Sequence, residues 1–129
     1  MTGARRVAAR AVIAAIAVVV IGALGGCALS AATIAVATRA HDFQPDTLVV
    51  PAEQSVKVVY RNEEQDAEHN IAVYARQGGE LIAGSDNIVG PDGVTELVLP
   101  PLAPGTYLVQ CDIHPFMTAA LNTSLPDSR

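Results

Sequence analysis

The sequence predicts an all-β Greek-key sandwich of about seven or eight strands, and three observations point to it. Short β-rich segments separated by turn residues fill the region after residue 30. Two of them, Ser55–Arg61 and Val94–Leu99, alternate in the manner of half-buried strands. No long amphipathic helical pattern intervenes, so the strand–helix alternation of a parallel sheet is missing. Two antiparallel sheets packed face to face are therefore expected.

Taken in order, Thr33–Arg39 is β-rich and pairs with the body of the fold. Asp42-Phe43-Gln44-Pro45-Asp46 reads as a turn, and Thr47–Val50 as a strand stopped at Pro51. In Ser55–Arg61, Val56, Val58 and Tyr60 share one face, with Lys57, Val59 and Arg61 on the other. Asn62–Glu68 is an acidic, solvated loop and Asn70–Tyr74 another strand. Gln77–Gly93 is a long glycine-containing connection with room for one helical turn. Pro100–Pro104 ends the strand Val94–Leu99. Gly105–Cys111 is the penultimate strand and Thr118–Ser124 the last. Pro104-Gly105 sets a turn ahead of Tyr107, which suits a tyrosine corner, a packing role in which the hydroxyl bonds nearby backbone.

A chain of 129 residues leaves room for one domain. Arg5, Arg6 and Arg10 precede an uncharged run, Ala11–Leu24, closed by Gly25-Gly26-Cys27. A basic start, an apolar stretch and small residues read as an export signal. Residues 1–26 are accordingly assigned as a signal peptide, 27–40 as a linker and first strand, and 41–129 as the folded domain. Leu24-Gly25-Gly26-Cys27 resembles the lipobox of bacterial lipoproteins, which implies lipidation at Cys27, a membrane anchor and an extracytoplasmic location. Cleavage further on, around Ala28–Ala32, is one alternative. The other is an uncleaved membrane helix, because no charge occurs between Ala11 and Thr38 and a spanning helix needs only about 20 residues.

Charge narrows the partners. Three of the 8 basic residues lie in the leader and all 13 acids lie after it, leaving a net charge of −8 from Cys27 onward. Such a domain has no basic stripe to neutralise phosphates, so nucleic acid is not an expected partner. The two cysteines, Cys27 and Cys111, admit a disulfide in an oxidising compartment, but each also sits in a more specific local context.

For Cys111 that context is Cys111-Asp112-Ile113-His114-Pro115-Phe116-Met117. Thiolate, imidazole and thioether are soft or borderline ligands that together favour copper over magnesium or calcium. Spaced C-x2-H-x2-M at a strand end, they can turn toward one point. His69, 42 residues before Cys111, supplies the second imidazole of a trigonal His2Cys set with Met117 axial, the arrangement of blue-copper electron-transfer sites. Each residue alone has a plainer reading: Cys111 as a small buried hydrophobe, Met117 as core filler, His69 as a solvated histidine beside Glu63, Glu64, Asp66 and Glu68. His41 stands alone in a loop, with no ligand partner near it in sequence, and is expected at the surface.

The stretches HDFQPDTLVVPAEQSVKVVYRN, EHNIAVY and LPPLAPGTYLVQCDIHPFM resemble the cupredoxin family across about residues 41–123, and the His-Pro-Phe-Met ending is most similar to the amicyanin loop. The resemblance implies a cupredoxin-like sandwich holding one copper ion through His69, Cys111, His114 and Met117. It also implies that Asn70, directly after the first histidine, ties the two ligand-bearing loops together. The chain departs from the family in having Thr118-Ala119-Ala120 after Met117, Val109 where an aromatic residue is common, and no Trp. No Ser/His/Asp set, paired catalytic carboxylates, phosphate-binding glycine loop or His-x-His pair occurs, so an enzyme is not expected. The expected role is a monomeric one-electron carrier between redox partners such as an oxidase, dehydrogenase or cytochrome. A copper storage or delivery protein supplying an oxidase is the alternative.

Overall fold

A computed structural model describes residues 31–127; the leader and the lipidation candidate Cys27 lie outside them. The described chain forms eleven strands and no helix: β1 (Ala32–Arg39), β2 (Asp42–Gln44), β3 (Thr47–Pro51), β4 (Val56–Asn62), β5 (Glu68–His69), β6 (Ala72–Tyr74), β7 (Leu81–Gly84), β8 (Ile88–Val89), β9 (Gly93–Leu99), β10 (Gly105–Gln110) and β11 (Thr118–Ser124). One sheet has the order β2-β1-β4-β9 and the other β3-β11-β10-β6-β7, while β5 and β8 form a separate two-stranded ribbon.

Alternation decides which face each strand buries. Val56, Val58 and Tyr60 of β4 point inward, as their spacing predicts, against Leu97 and Leu99 of β9 and Val36 of β1. The opposite sheet supplies Leu48, Val50, Val73, Val109 and Leu121 to the same core. Each such side chain contributes about 1.5–3 kcal/mol by leaving water. Tyr60 buries a hydroxyl as well, and Thr38 Oγ1 satisfies it at 2.5 Å. Tyr107 forms the expected corner, donating from its hydroxyl to the Ala103 carbonyl at 2.9 Å.

Three expectations need correction. The sheets are mixed, because β1 pairs with β4 and β3 with β11 in parallel; alternation fixes the buried face but carries no strand direction. Asp42–Gln44, read as part of a turn, is a short strand that buries Phe43. The connection 77–93 holds β7 and β8 instead of a helical turn. β7 is a sheet edge with an irregularity opposite Val73/Tyr74, so only part of one face is covered and its sequence shows no clean period.

Candidate metal centre

The pairing of β6 with β10 brings two distant segments together. Their antiparallel register sets Ala72 opposite Gln110, so the residues just before Ala72 run beside those just after Gln110. His69 and Cys111 meet there, with Sγ 3.8 Å from His69 Nδ1. β10 and β11 are paired from Gln110 and Thr118 onward, which folds the intervening segment into a tight loop. At its base the Cys111 N–H donates to the Met117 carbonyl at 3.1 Å, and the Met117 N–H closes a turn on the His114 carbonyl at 2.8 Å. His114 Nδ1 then stands 3.9 Å from Cys111 Sγ and 3.1 Å from His69 Nδ1. Met117 is fully buried in the same cluster as Cys111.

These donors fit one copper ion in a type 1 arrangement. A triangle with sides of 3.8, 3.9 and 3.1 Å has a circumradius of about 2.1 Å, within the range of first-row metal–nitrogen and metal–sulfur bonds. Protonation favours it too. His69 Nε2 faces Glu64 Oε2 at 2.5 Å. A carboxylate only accepts, so Nε2 carries the hydrogen and Nδ1 keeps its lone pair for a metal. The donor chemistry, one thiol, two imidazoles and a thioether, is that of a copper site with a weak axial ligand.

Supporting contacts surround the donors. Asn70 lies between β5 and β6, donating from Nδ2 to Asp112 Oδ2 at 2.9 Å and accepting the Asp112 N–H at Oδ1 at 2.8 Å. The Tyr74 hydroxyl donates to the other Asp112 oxygen at 2.6 Å. That bond raises the Tyr74 pKa above the ordinary phenol value, with burial and the Asp112 charge acting the same way. At Glu64, burial raises the pKa, but the hydrogen bonds from the His41 amide and the His69 ring, with the electrostatic pull of the two neighbouring rings, outweigh it. The Glu64 carboxyl therefore stays below the usual glutamate value.

The sequence residues His69, Cys111, His114 and Met117 thus converge, and Asn70 links their two loops. Glu64 and His41 were missed. Glu64, expected in a solvated loop, is turned inward onto His69. His41, expected alone at the surface, is half-exposed, but its ring lies edge-on to His69 and His114 at 5.2 and 5.3 Å and stacked on Phe116 at 6.2 Å. Both are brought in by the parallel pairing of β1 with β4, whose register Thr38↔Asn62 sets the residues after Thr38 beside those after Asn62.

Comparison with known proteins agrees with the fold. A family model described as a cupredoxin-like domain matches residues 11–121. No curated protein sequence matches the chain. Among solved structures, auracyanin A, a "blue" copper protein from the green thermophilic photosynthetic bacterium Chloroflexus aurantiacus, is 22% identical, with a TM-score of 0.64 over 74% of this chain and 100% of that one. A reduced Cu(I) form of an amicyanin variant is 21% identical, with a TM-score of 0.55 over 75% of this chain and 87% of the other. A copper-containing nitrite reductase from Thermus scotoductus SA-01 is 25% identical, with a TM-score of 0.57 over 81% of this chain and only 25% of the reductase.

Proposed function

Because the chain belongs to the cupredoxin-like domain family, we propose that it is an exported one-electron carrier whose single copper ion is held by His69, Cys111, His114 and Met117. The observation that carries this reading is the donor triangle at the head of the β6–β10 pair, with Met117 buried beside it. When bound there, copper would supply a one-electron Cu(II)/Cu(I) couple.

The protein's part is to keep the donors still and dry. His69, Cys111 and Met117 are fully buried, and the two loops carrying them are joined by Asn70 and Asp112. His114 is only half-buried, beside the exposed Ile113 and Phe116, so its ring is the donor best placed to pass an electron outward. The apolar rim suits brief docking, and the acidic surface steers a positively charged oxidase, dehydrogenase or cytochrome mainly through its on-rate. Burial of three donors favours a carrier over a delivery protein, which must release its metal. Export and anchoring through Cys27 rest on the leader's composition.

Voltammetry of the copper-loaded protein tests the role. A reversible one-electron wave at one copper per chain is expected. Irreversible loss of metal on reduction would favour storage or delivery.

A further inference from the structure

The loop carrying Glu64 is held far more firmly than an acidic surface loop requires. Asn62, fully buried at the end of β4, accepts the Glu64 N–H at Oδ1 at 3.0 Å and donates from Nδ2 to the Ala67 and Ile88 carbonyls at 2.7 and 3.0 Å. From the other side Gly90 packs so closely that a Cβ there would lie 2.0 Å from the Glu64 carbonyl oxygen. The loop is thereby pinned on both flanks.

The pinned side chain serves two histidines. Glu64 Oε2 meets His69 Nε2 at 2.5 Å, while Oε1 accepts the His41 amide N–H and lies 3.2 Å from His41 Nδ1. His41 sits in the turn between β1 and β2, where Ala40 and His41 adopt φ of 53° and 58°. That left-handed backbone costs roughly 1–2 kcal/mol per residue with a side chain, so the surroundings must impose it. What it achieves is to bring the His41 ring edge-on to both His69 and His114 and flat against Phe116.

We propose that Glu64 is a positioning residue of the metal centre: one oxygen fixes the tautomer and ring plane of His69, and the other seats His41 over the two ligand imidazoles. The proposal rests on the reading of His69 as a ligand. A carboxylate on the far nitrogen makes Nδ1 a stronger donor, which stabilises Cu(II) more than Cu(I) and lowers the reduction potential. The β1–β2 turn, remote in sequence from every ligand, thereby becomes a wall of the site.

Glu64→Gln, which keeps the shape and removes the charge, is compared with Glu63→Gln, whose carboxylate bonds Arg39 at 2.6 Å instead. In the copper-loaded protein Glu64→Gln is expected to weaken Cu(II) binding about 10- to 100-fold and Cu(I) binding less. Each tenfold difference between the two reads as about 59 mV of rise in potential. In the metal-free protein a glutamine leaves one acceptor oxygen for two N–H groups, so either the fixed Nε2–H tautomer of His69, read by nitrogen NMR, or the exchange protection of the His41 amide should be lost. Glu63→Gln should leave all of these unchanged. A wild-type potential together with a wild-type His69 tautomer and a protected His41 amide in Glu64→Gln would overturn the proposal. If the wild-type protein fails to take copper at these residues, the ligand reading fails, while the tautomer and the His41 amide still decide the role of Glu64.

Discussion

Asn70 and Asp112 hydrogen-bond in both directions across the two ligand-bearing loops, at 2.9 and 2.8 Å. Asn70 is almost fully buried, so its amide has little access to replacement by water. Asn70→Ala leaves the Asp112 N–H without its acceptor, which costs about 1–3 kcal/mol. The urea midpoint of the metal-free protein should fall accordingly with an unchanged m-value. An unaltered midpoint would mean that the loops hold each other without this residue.

Tyr60 gives a pH prediction. Burial pushes its pKa up from 10.0 to about 12; the bond from Thr38 opposes this, and the charges of Cys111 and Glu64 add to it. The folded state therefore holds the phenolic proton more tightly than the unfolded chain. The stabilisation is complete below pH 10 and is lost as pH rises through about 12, a fall of about 2–3 kcal/mol. Tyr60→Phe should lose about 1 kcal/mol at neutral pH with the Thr38 bond and decline less steeply from pH 10 to 12. Parallel curves for the two proteins in denaturant titrations would contradict this.

Much of the sandwich was legible because its central strands obey a simple period: β4 buries Val56, Val58 and Tyr60 as their spacing requires. The metal loop was legible for a different reason. Its chemistry is compressed into seven residues, Cys111–Met117, so one hairpin loop delivers three of the four donors. What could not be read was whatever depends on pairing between distant strands. The two-residue strands β5 and β8 are too short to show a period. Glu64 and His41 join the site only because β1 runs parallel to β4, a direction that no local pattern encodes.

The proposed exit through His114 makes Phe116 a docking residue. It is 71% exposed and so adds little to the core. Phe116→Asp should slow electron exchange with a redox partner at least tenfold while leaving colour and copper affinity close to wild type. Val98→Asp introduces the same charge at a 61% exposed site on β9, opposite Lys57 and toward the other end of β4 from Asn62, and should change the rate little. Stopped-flow mixing with a cytochrome of known potential reads both. A slowed Val98→Asp beside a normal Phe116→Asp would move the exit elsewhere.

Met117 provides the weak fourth donor in this account. Met117→Gln should retain copper but lower the potential, because a harder oxygen donor favours Cu(II) over Cu(I). Voltammetry of the variant checks it, and an unchanged potential would place Met117 away from the metal.

The central claim, that Cys111 joins His69, His114 and Met117 around a single copper ion, is tested most directly by titrating the metal-free protein with Cu(II) and recording visible absorption. The account predicts an intense thiolate-to-copper band that saturates at one copper per chain. It is absent from Cys111→Ser, whose circular dichroism stays that of a folded sandwich. A colourless copper-loaded wild type, or a band that survives Cys111→Ser, would contradict it.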